Sequence, residues 1–260
     1  MQLPRNGFKQ ALKEGRVQIG LWKGLPDAYT SELLASTGFD WLGIDAEHSP
    51  NDPRTVLAQL QALAAYPIHV LVRVVSDEVA VIKQYLDIGV QTLLVPMVET
   101  AEQAARVVAA TRYPPQGVRG VGSALARAAR WNQVDGYLAH NHEQLCVLVQ
   151  VESVKGLQNL RAICEVDGID GVFFGPADLA ASMGKIGRST DATVQSAIDA
   201  GIKTICSAGK AAGVLTTDRQ LVRKHLELGA TFVAIGVDTL LLSSAAKDLA
   251  DSIKVRSPAG

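Results

Sequence analysis

The stretch "LCVLVQVE", residues 145–152, is an apolar run that ends in the polar residues Gln150 and Glu152. Its aliphatic and β-branched residues are typical of a strand buried on both faces, because such a strand has no side turned to solvent. Seven further runs of this kind recur along the chain, at residues 19–22, 41–45, 69–74, 92–97, 171–175, 213–217 and 232–238. The pattern predicts eight buried strands.

Amphipathic helices are predicted between these strands. Apolar residues fall at i, i+3, i+4 and i+7 in residues 27–37, 53–66, 78–89 and 100–111. Eight alternating strand–helix units favour an α/β fold closed into a (β/α)₈ TIM barrel. An open, doubly wound sheet is the alternative, weakened because no glycine-rich turn of the dinucleotide type follows the first strand. We expect one barrel domain over residues 1–260.

The composition limits the partners of the protein. The chain has 260 residues, of which 48% are hydrophobic, and its 25 Lys and Arg against 26 Asp and Glu give a formal net charge of -1. Such a chain has no general field to attract nucleic acid or an anionic membrane, so neither is expected as a partner. Because no apolar run approaches the ~18 residues of a membrane span and the amino terminus is polar and basic, we expect a cytoplasmic protein.

Two segments fall outside the alternation of strands and helices. Residues 113–137 contain paired prolines, repeated glycines and three arginines, and we expect a long loop above the barrel, where loops carry function. Residues 239–254 are predicted to form an amphipathic helix whose apolar stripe either covers its own barrel or docks on a neighbour. Residues 255–260 are expected to be disordered.

Two acids stand at predicted strand ends, where TIM-barrel enzymes carry their chemistry. Glu152 ends "LVQVE", and Asp178 follows "GVFFGPA". Two carboxylates without a His or Cys partner suit a hard divalent ion such as Mg²⁺ or Mn²⁺, which keeps waters for a substrate to displace. Each acid is equally placed to cap the helix that follows it. The spacing leaves a metal site and helix caps as alternatives.

A histidine and an arginine stand at the ends of two further strands. His48 is either a packed residue or a proton carrier near neutral pH. Asp45 and Asp87 are candidates to orient its ring, as a general base requires, although Asp87 is equally a plain helix-terminal residue. Arg73 lies among strand valines, where a guanidinium needs an anion. It either recognises a substrate carboxylate or forms a structural ion pair with Asp45 or Glu47.

Six stretches together carry a resemblance to a known family. They are "IGLW" (19–22), "FDWLGIDAEHSPND" (39–52), "TLLVPMVETAEQA" (92–104), "TRYPPQGVRGVGSALARAARWN" (111–132), "VLVQVES" (147–153) and "GVFFGPADLAASMG" (171–184). They closely resemble the metal-dependent (class II) pyruvate aldolases typified by 4-hydroxy-2-oxoheptanedioate aldolase, in the phosphoenolpyruvate/pyruvate barrel superfamily. The resemblance, which runs to about residue 250, implies a carbon–carbon lyase that reversibly cleaves 4-hydroxy-2-oxo acids to pyruvate and an aldehyde, in a degradative pathway such as aromatic compound catabolism.

The resemblance also implies roles for individual residues. Glu152 and Asp178 would hold Mg²⁺, Mn²⁺ or Co²⁺. His48 would be the base that acts through a metal-bound water, and Arg73 would stabilise the enolate of pyruvate.

Supporting roles follow from the same resemblance. Asp45 and Asp87 would support the histidine, while Gln150 and the backbone around Ala177 would seat pyruvate. The carboxyl-terminal helix would be exchanged between subunits of a homohexamer, a dimer of trimers. The loop "GVRGVGS" would line the mouth of its own pocket or that of an adjacent subunit.

Some features leave alternatives open. Trp22 and Leu215 end predicted strands, where they either line the pocket or are buried in the core. "GLWKGLPDAY", residues 20–29, departs from the family and puts Lys23 near the mouth, which leaves the aldehyde preference open. Lys23 is also the candidate for a Schiff-base aldolase. The remaining alternatives are a non-catalytic carboxylate-binding barrel and a lyase acting on an acyl-CoA thioester.

Overall fold

Eight parallel strands form a closed barrel in which each strand pairs with the next and β8 pairs with β1. The computed structural model describes residues 1–254, so the disorder expected for residues 255–260 lies outside the described residues. The strands are β1 (Gln18–Lys23), β2 (Trp41–Asp45), β3 (His69–Arg73), β4 (Thr92–Val95), β5 (Cys146–Val151), β6 (Gly171–Phe174), β7 (Ala211–Leu215) and β8 (Phe232–Val237). The predicted TIM barrel is confirmed, and the open doubly wound sheet is wrong.

Helices connect the strands on the outside of the barrel. Within residues 1–254 they are α1 (Gly7–Lys13), α2 (Ala28–Ala35), α3 (Pro53–Leu63), α4 (Val79–Asp87), α5 (Ala101–Thr111), α6 (Tyr137–His140), α7 (Val154–Gln158), α8 (Leu160–Cys164), α9 (Pro176–Ser182), α10 (Ala192–Ser207), α11 (Arg219–Glu227) and α12 (Asp238–Ile253). The four helices predicted between strands are confirmed. Local signals explain their starts, as in α3, where Asp52 accepts a hydrogen bond from the backbone of Thr55 and Pro53 begins the first turn.

The apolar core has two layers because strand side chains alternate between the interior and the outside of the barrel. The outer layer packs the strands against the surrounding helices. The inner layer is rich in aromatic rings, including Trp41, Phe173 and Phe232. Phe8, from α1, packs with its ring centre 6.0 Å from those of both Trp41 and Phe232. Helix α1 was not predicted because it is short and lies before the first strand, yet it contributes Phe8 to the barrel interior.

Residues 113–137 lie at the amino-terminal ends of the strands, so the expectation of a loop above the barrel is wrong. Helix α5 begins at the carboxyl end of β4, and the chain after it leads into the amino end of β5. A connection from a helix to the next strand must lie at the barrel end opposite the βα loops. The segment is anchored there by Arg127, whose Nη1 donates to the carbonyl of Ile88 at 2.9 Å.

Helix α12 is displaced by one residue from the predicted range of 239–254 and presents leucines to solvent in the single subunit. Leu240, Leu241 and Leu242 are 55%, 54% and 61% exposed. The start of the helix packs against β1 and β8. In the part of the chain that the structure describes, no helix has both the length and the apolarity needed to cross a bilayer.

Candidate active site

A cavity of about 170 Å³ lies at the carboxyl ends of the strands. Its lining residues come from five strands, from the turns after β2 and β6, and from the first turn of α9. They are Trp22, His48, Arg73, Gln150, Phe173, Gly175, Pro176, Ala177, Asp178 and Leu215. Two further predicted residues, Asp45 and Glu152, hydrogen-bond to members of this lining. The structure therefore brings together all of the predicted site residues except Asp87.

Arg73 is held by two carboxylates at the edge of the cavity. Its Nε and Nη2 donate to the two oxygens of Asp45 at 2.9 and 2.6 Å, and its Nη1 lies 2.9 Å from Oε2 of Glu47. Its guanidinium lies 4.9 Å from the ring centre of Trp22. Burial raises the pKa of Asp45, but the hydrogen bonds and charge of Arg73 outweigh it and hold that pKa below its ordinary value. Arg73 thus forms the structural ion pair and also borders the cavity.

The turn after β2 places Glu47 beside His48. Glu47 was considered in the sequence only as a partner of Arg73, although it stands between two predicted site residues in "DAEH". Burial raises the pKa of Glu47 above its ordinary value, and the charge of Arg73 opposes this. Oε2 of Glu47 lies 3.8 Å from Nε2 of His48, whose side chain is 64% exposed. The imidazole is therefore near both an acid and solvent.

Asp45 supports His48 differently from the prediction. Its Oδ1 accepts hydrogen bonds from the backbone N–H groups of Glu47 and His48, at 3.0 and 3.3 Å. Within residues 1–254, the side-chain hydrogen bonds of Asp45 go to Arg73, to Trp22 and to these backbone groups, and none goes to the imidazole. Asp45 thus shapes the turn and does not orient the ring, since both of its oxygens are already engaged.

Glu152 is a buried carboxylate next to Asp178. It is 3% exposed; its Oε1 accepts the backbone N–H of Met97 at 2.9 Å, and its Oε2 accepts from Nε2 of Gln150. Burial, reinforced by the charges of Asp178 and Glu47, raises the pKa of Glu152 to about 7, and the hydrogen bond from Met97 opposes this rise. The backbone contact from Met97 was not predicted, since a main-chain donor has no sequence signature.

Neither Glu152 nor Asp178 is a helix cap. Ser153 caps α7 by accepting the backbone N–H of Gly156, so Glu152 is not needed there. Helix α9 begins after Gly175 without a side-chain cap, and Asp178 lies inside its first turn. The capping alternative left open by the sequence is therefore wrong for both acids.

The arrangement fits a divalent cation. Oε1 of Gln150 is buried without a hydrogen-bond partner among the described residues. Gly175 leaves open a space in which a methyl group would overlap Glu152 and Gln150. Glu152 and Asp178 supply hard oxygen donors, and a bound cation would relieve the unfavourable charge on Glu152. No set of three or more His, Cys, Asp or Glu ligands is found in residues 1–254, so the other positions would be left to water and substrate.

Two candidates lie away from the cavity. Asp87 does not reach His48 within the subunit, because it ends α4 at the amino-terminal side of the barrel and contacts Nη2 of Arg119 at 2.6 Å. Lys23 is fully buried, and its ammonium group donates to the carbonyls of Leu25 and Asp27, the latter at 3.2 Å. Burial lowers the pKa of Lys23 to about 8. The amine faces a loop and does not line the cavity, which counts against the Schiff-base alternative.

Comparisons with known proteins identify the family of the chain. Residues 18–245 match the family described as "HpcH/HpaI aldolase/citrate lyase". The chain is 64% identical over 254 residues to a hydroxypyruvate/pyruvate aldolase of Paraburkholderia phytofirmans, spanning 98% of this chain and 95% of the relative. It is 57% identical over 245 residues to a 4-hydroxy-2-oxo-heptane-1,7-dioate aldolase of Shigella flexneri, spanning 94% and 92%.

A solved structure gives the same result. An HpcH/HpaI family protein from Burkholderia cenocepacia superposes with a TM-score of 0.91 at 36% identity, covering 96% of this chain and all of that one. Fold, site and relatives define a barrel aldolase, which is a carbon–carbon lyase. The chain belongs to the HpcH/HpaI aldolase/citrate lyase family, and the resemblance drawn from its sequence is confirmed.

Proposed function

We propose that this aldolase reversibly cleaves 4-hydroxy-2-oxo acids into pyruvate and an aldehyde with the help of a divalent metal ion. The observation that carries the proposal is the pairing of Glu152 with Asp178 beside a cavity that also contains Arg73. The single positive charge of Arg73 is already paired with Asp45 and Glu47. It therefore does not neutralise the negative charges of Glu152 and Asp178 as well. A divalent ion held by those acids would supply the missing positive charge.

The donor end of the substrate would lie between the two acids and Arg73. When bound, Mg²⁺, Mn²⁺ or Co²⁺ supplies Lewis-acid polarisation of a 2-oxo group and stabilises the developing enolate charge. Arg73, fixed by its two carboxylates, would add a preorganised positive charge near the same oxygen. Gln150 and the backbone around Ala177 would orient the substrate carboxylate, because both border the cavity.

His48 would move the proton. In cleavage, the C4 hydroxyl loses its proton to the imidazole, the C3–C4 bond breaks, and its electron pair becomes the enolate of pyruvate. Return of a proton to C3 then gives the methyl group. His48 suits this role because it lines the cavity and its ring stays in contact with solvent, with which it can exchange the proton.

The two relatives suggest which substrates to test. The Shigella flexneri enzyme is named for a seven-carbon dioate, which cleavage between C3 and C4 divides into pyruvate and a four-carbon semialdehyde. The Paraburkholderia phytofirmans enzyme, at 64% identity, is named for hydroxypyruvate as well as pyruvate. Hydroxypyruvate is therefore the second donor to test here. Trp22 and Leu215, at the cavity wall, would contact the incoming aldehyde.

We also propose a homohexamer, a dimer of trimers, in which α12 is exchanged between subunits. Leu240 and Leu241, two of the exposed leucines of α12, border an apolar cavity of about 690 Å³ formed with α11 and β8. An exposed apolar helix next to such a groove suits docking on a second copy of the chain. Light scattering should give a sixfold mass, and a monomer at micromolar concentration would contradict the proposal.

Proton NMR of pyruvate in D₂O tests the chemistry without knowledge of the aldehyde. We expect the methyl signal to disappear when protein and Mn²⁺ or Mg²⁺ are present together, and to persist with excess chelator. Glu152→Gln is the negative control, because it removes a proposed ligand and keeps the side-chain volume. Absence of exchange with every divalent ion, in folded protein, would contradict the proposal.

A further inference from the structure

Two buried charged residues outside the cavity hold a single short loop. This loop, residues 24–27 between β1 and α2, is called the rim loop below. Lys23 donates to its carbonyls at Leu25 and Asp27. Asp238, the first residue of α12 and only 4% exposed, accepts the backbone N–H of Gly24 at 2.8 Å and that of Leu25 at 3.1 Å. The rim loop is thus held by its carbonyls on one side and its N–H groups on the other.

The rim loop adjoins two parts of the candidate site. It begins two residues after Trp22, which lines the cavity and stacks on Phe173 with ring centres 5.5 Å apart. The amide of Asn51 donates to the carbonyl of Gly24 at 3.4 Å and to that of Asp45 at 2.8 Å. This amide therefore links the rim loop to the turn that carries His48. A shift of the rim loop would move the cavity wall.

The regular sheet does not fix this region by itself. The pairing of β1 with β8 shifts register between Gly20 and Trp22, just before the rim loop begins. Burying a lysine and an aspartate is costly unless each is well paired, and four backbone groups of Gly24, Leu25 and Asp27 provide most of that pairing here. Two charges thus position a segment that the strand ladder leaves free.

We propose that Lys23 and Asp238 are positioning residues that fix the rim loop and thereby determine which aldehydes the enzyme accepts. The proposal rests on the proposed function. It concerns the aldehyde because Glu152, Asp178, Arg73 and Gln150, which would hold the donor, lie on or after strands β3, β5 and β6 and share no hydrogen bond with the rim loop among the described residues. Release of the rim loop would widen the Trp22 side of the cavity and favour longer aldehydes.

Asp238→Asn and Lys23→Met test the proposal. The first loses the acceptor for the N–H of Leu25, and the second keeps the aliphatic volume but loses the ammonium donor. Steady-state aldol addition to pyruvate is measured with glycolaldehyde and with succinate semialdehyde, alongside pyruvate methyl exchange. We expect exchange within about twofold of wild type, a KM for glycolaldehyde raised about tenfold, and a kcat/KM ratio shifted several-fold toward the longer aldehyde.

The controls separate this proposal from the proposed function. Asp248→Asn removes an exposed acid from the same helix and should match wild type in every measurement. If Asp238→Asn does not fold, Lys23→Met decides alone. Unchanged aldehyde preference in the folded variants would overturn the proposal, and so would a loss of exchange in parallel with aldol addition. Wild-type protein without any exchange would instead refute the proposed function itself, and this proposal with it.

Discussion

Two arginine–aspartate pairs with buried guanidinium groups lie at opposite ends of this barrel and share several features. Arg73 contacts Asp45 at 2.6 Å at the carboxyl ends of the strands, and Arg119 contacts Asp87 at 2.6 Å at the amino ends. Each guanidinium also lies over an aromatic ring, 4.9 and 4.6 Å from the ring centre. Arg73 contacts Asp45 through two donors, whereas Arg119 contacts Asp87 through one. The contact distance and the aromatic neighbour alone do not distinguish the two pairs.

Their surroundings differ in charge. Around Arg73 lie three further acids, Glu47, Glu152 and Asp178, and the charge of Asp178 contributes to the raised pKa of both glutamates. The fully buried guanidinium of Arg119 has neutral phenols for its other neighbours, and burial raises the pKa of one of them, Tyr113, to about 12. A balanced pair in a neutral environment is a structural element. An excess of carboxylates beside a cavity is the sign of a site for a cation or a reaction.

The largest expected effect comes from removing the excess acids. Glu152→Gln and Asp178→Asn should each lower kcat/KM more than about 100-fold, beyond the loss typical of outer-shell partners, and weaken Mn²⁺ binding in titration calorimetry. Asp167→Asn is the matched control, because Asp167 is 95% exposed and pairs with Arg112 on the surface. Wild-type Mn²⁺ affinity in either site variant would show that the substituted carboxylate does not bind the metal ion.

The next largest effect should appear at the amino-terminal end, in stability. Arg119→Met should lower the free energy of unfolding by about 3 kcal/mol, because it leaves a partly buried carboxylate without its partner. Arg112→Met, which breaks an exposed pair, should cost less than about 1 kcal/mol. Urea denaturation of both variants makes the comparison. Equal losses of unfolding free energy would show that burial does not increase the contribution of the Arg119–Asp87 pair to stability.

The sequence alone was sufficient to predict the barrel and most residues of the candidate active site. A run of apolar residues indicates directly that a strand is buried on both faces. The polar residues at the end of such a run mark the end of the strand, and this position identifies Glu152, Arg73 and His48 as candidate site residues. The sequence could not assign Asp87, because the end of α4 lies on the opposite side of the barrel. It also could not predict that both oxygens of Asp45 are engaged away from the imidazole, since that depends on side-chain directions within one turn.

Replacing the guanidinium of Arg73 with the ammonium group of lysine is a smaller change than removing an acid. Arg73→Lys keeps the positive charge but cannot contact Asp45 through two donors while also reaching Glu47, so we expect kcat/KM to fall about 100-fold. Thermal unfolding should change little, because charge balance is kept. Arg161→Lys, at an exposed pair with Glu165, is the control and should leave kcat/KM unchanged. An unaffected Arg73→Lys variant would assign Arg73 to structure, like Arg119.

The smallest expected effect is a pH dependence found only at the charged end. The folded protein without metal holds the proton of Glu152 up to about pH 7, above the ordinary pKa of a glutamate near 4.5. A raised pKa in the folded state favours folding at acidic pH, and this contribution is lost as pH rises through about 7.

Metal-free wild type should therefore lose about 2 kcal/mol of stability relative to Glu152→Gln between pH 5 and pH 8. Adding Mn²⁺ at pH 8 should restore the stability of the wild type but not change that of Glu152→Gln, because a bound cation replaces the proton on Glu152. If wild type and Glu152→Gln show parallel pH profiles without metal, Glu152 carries no unfavourable charge, and the two ends of the barrel differ less in charge than their acidic residues indicate.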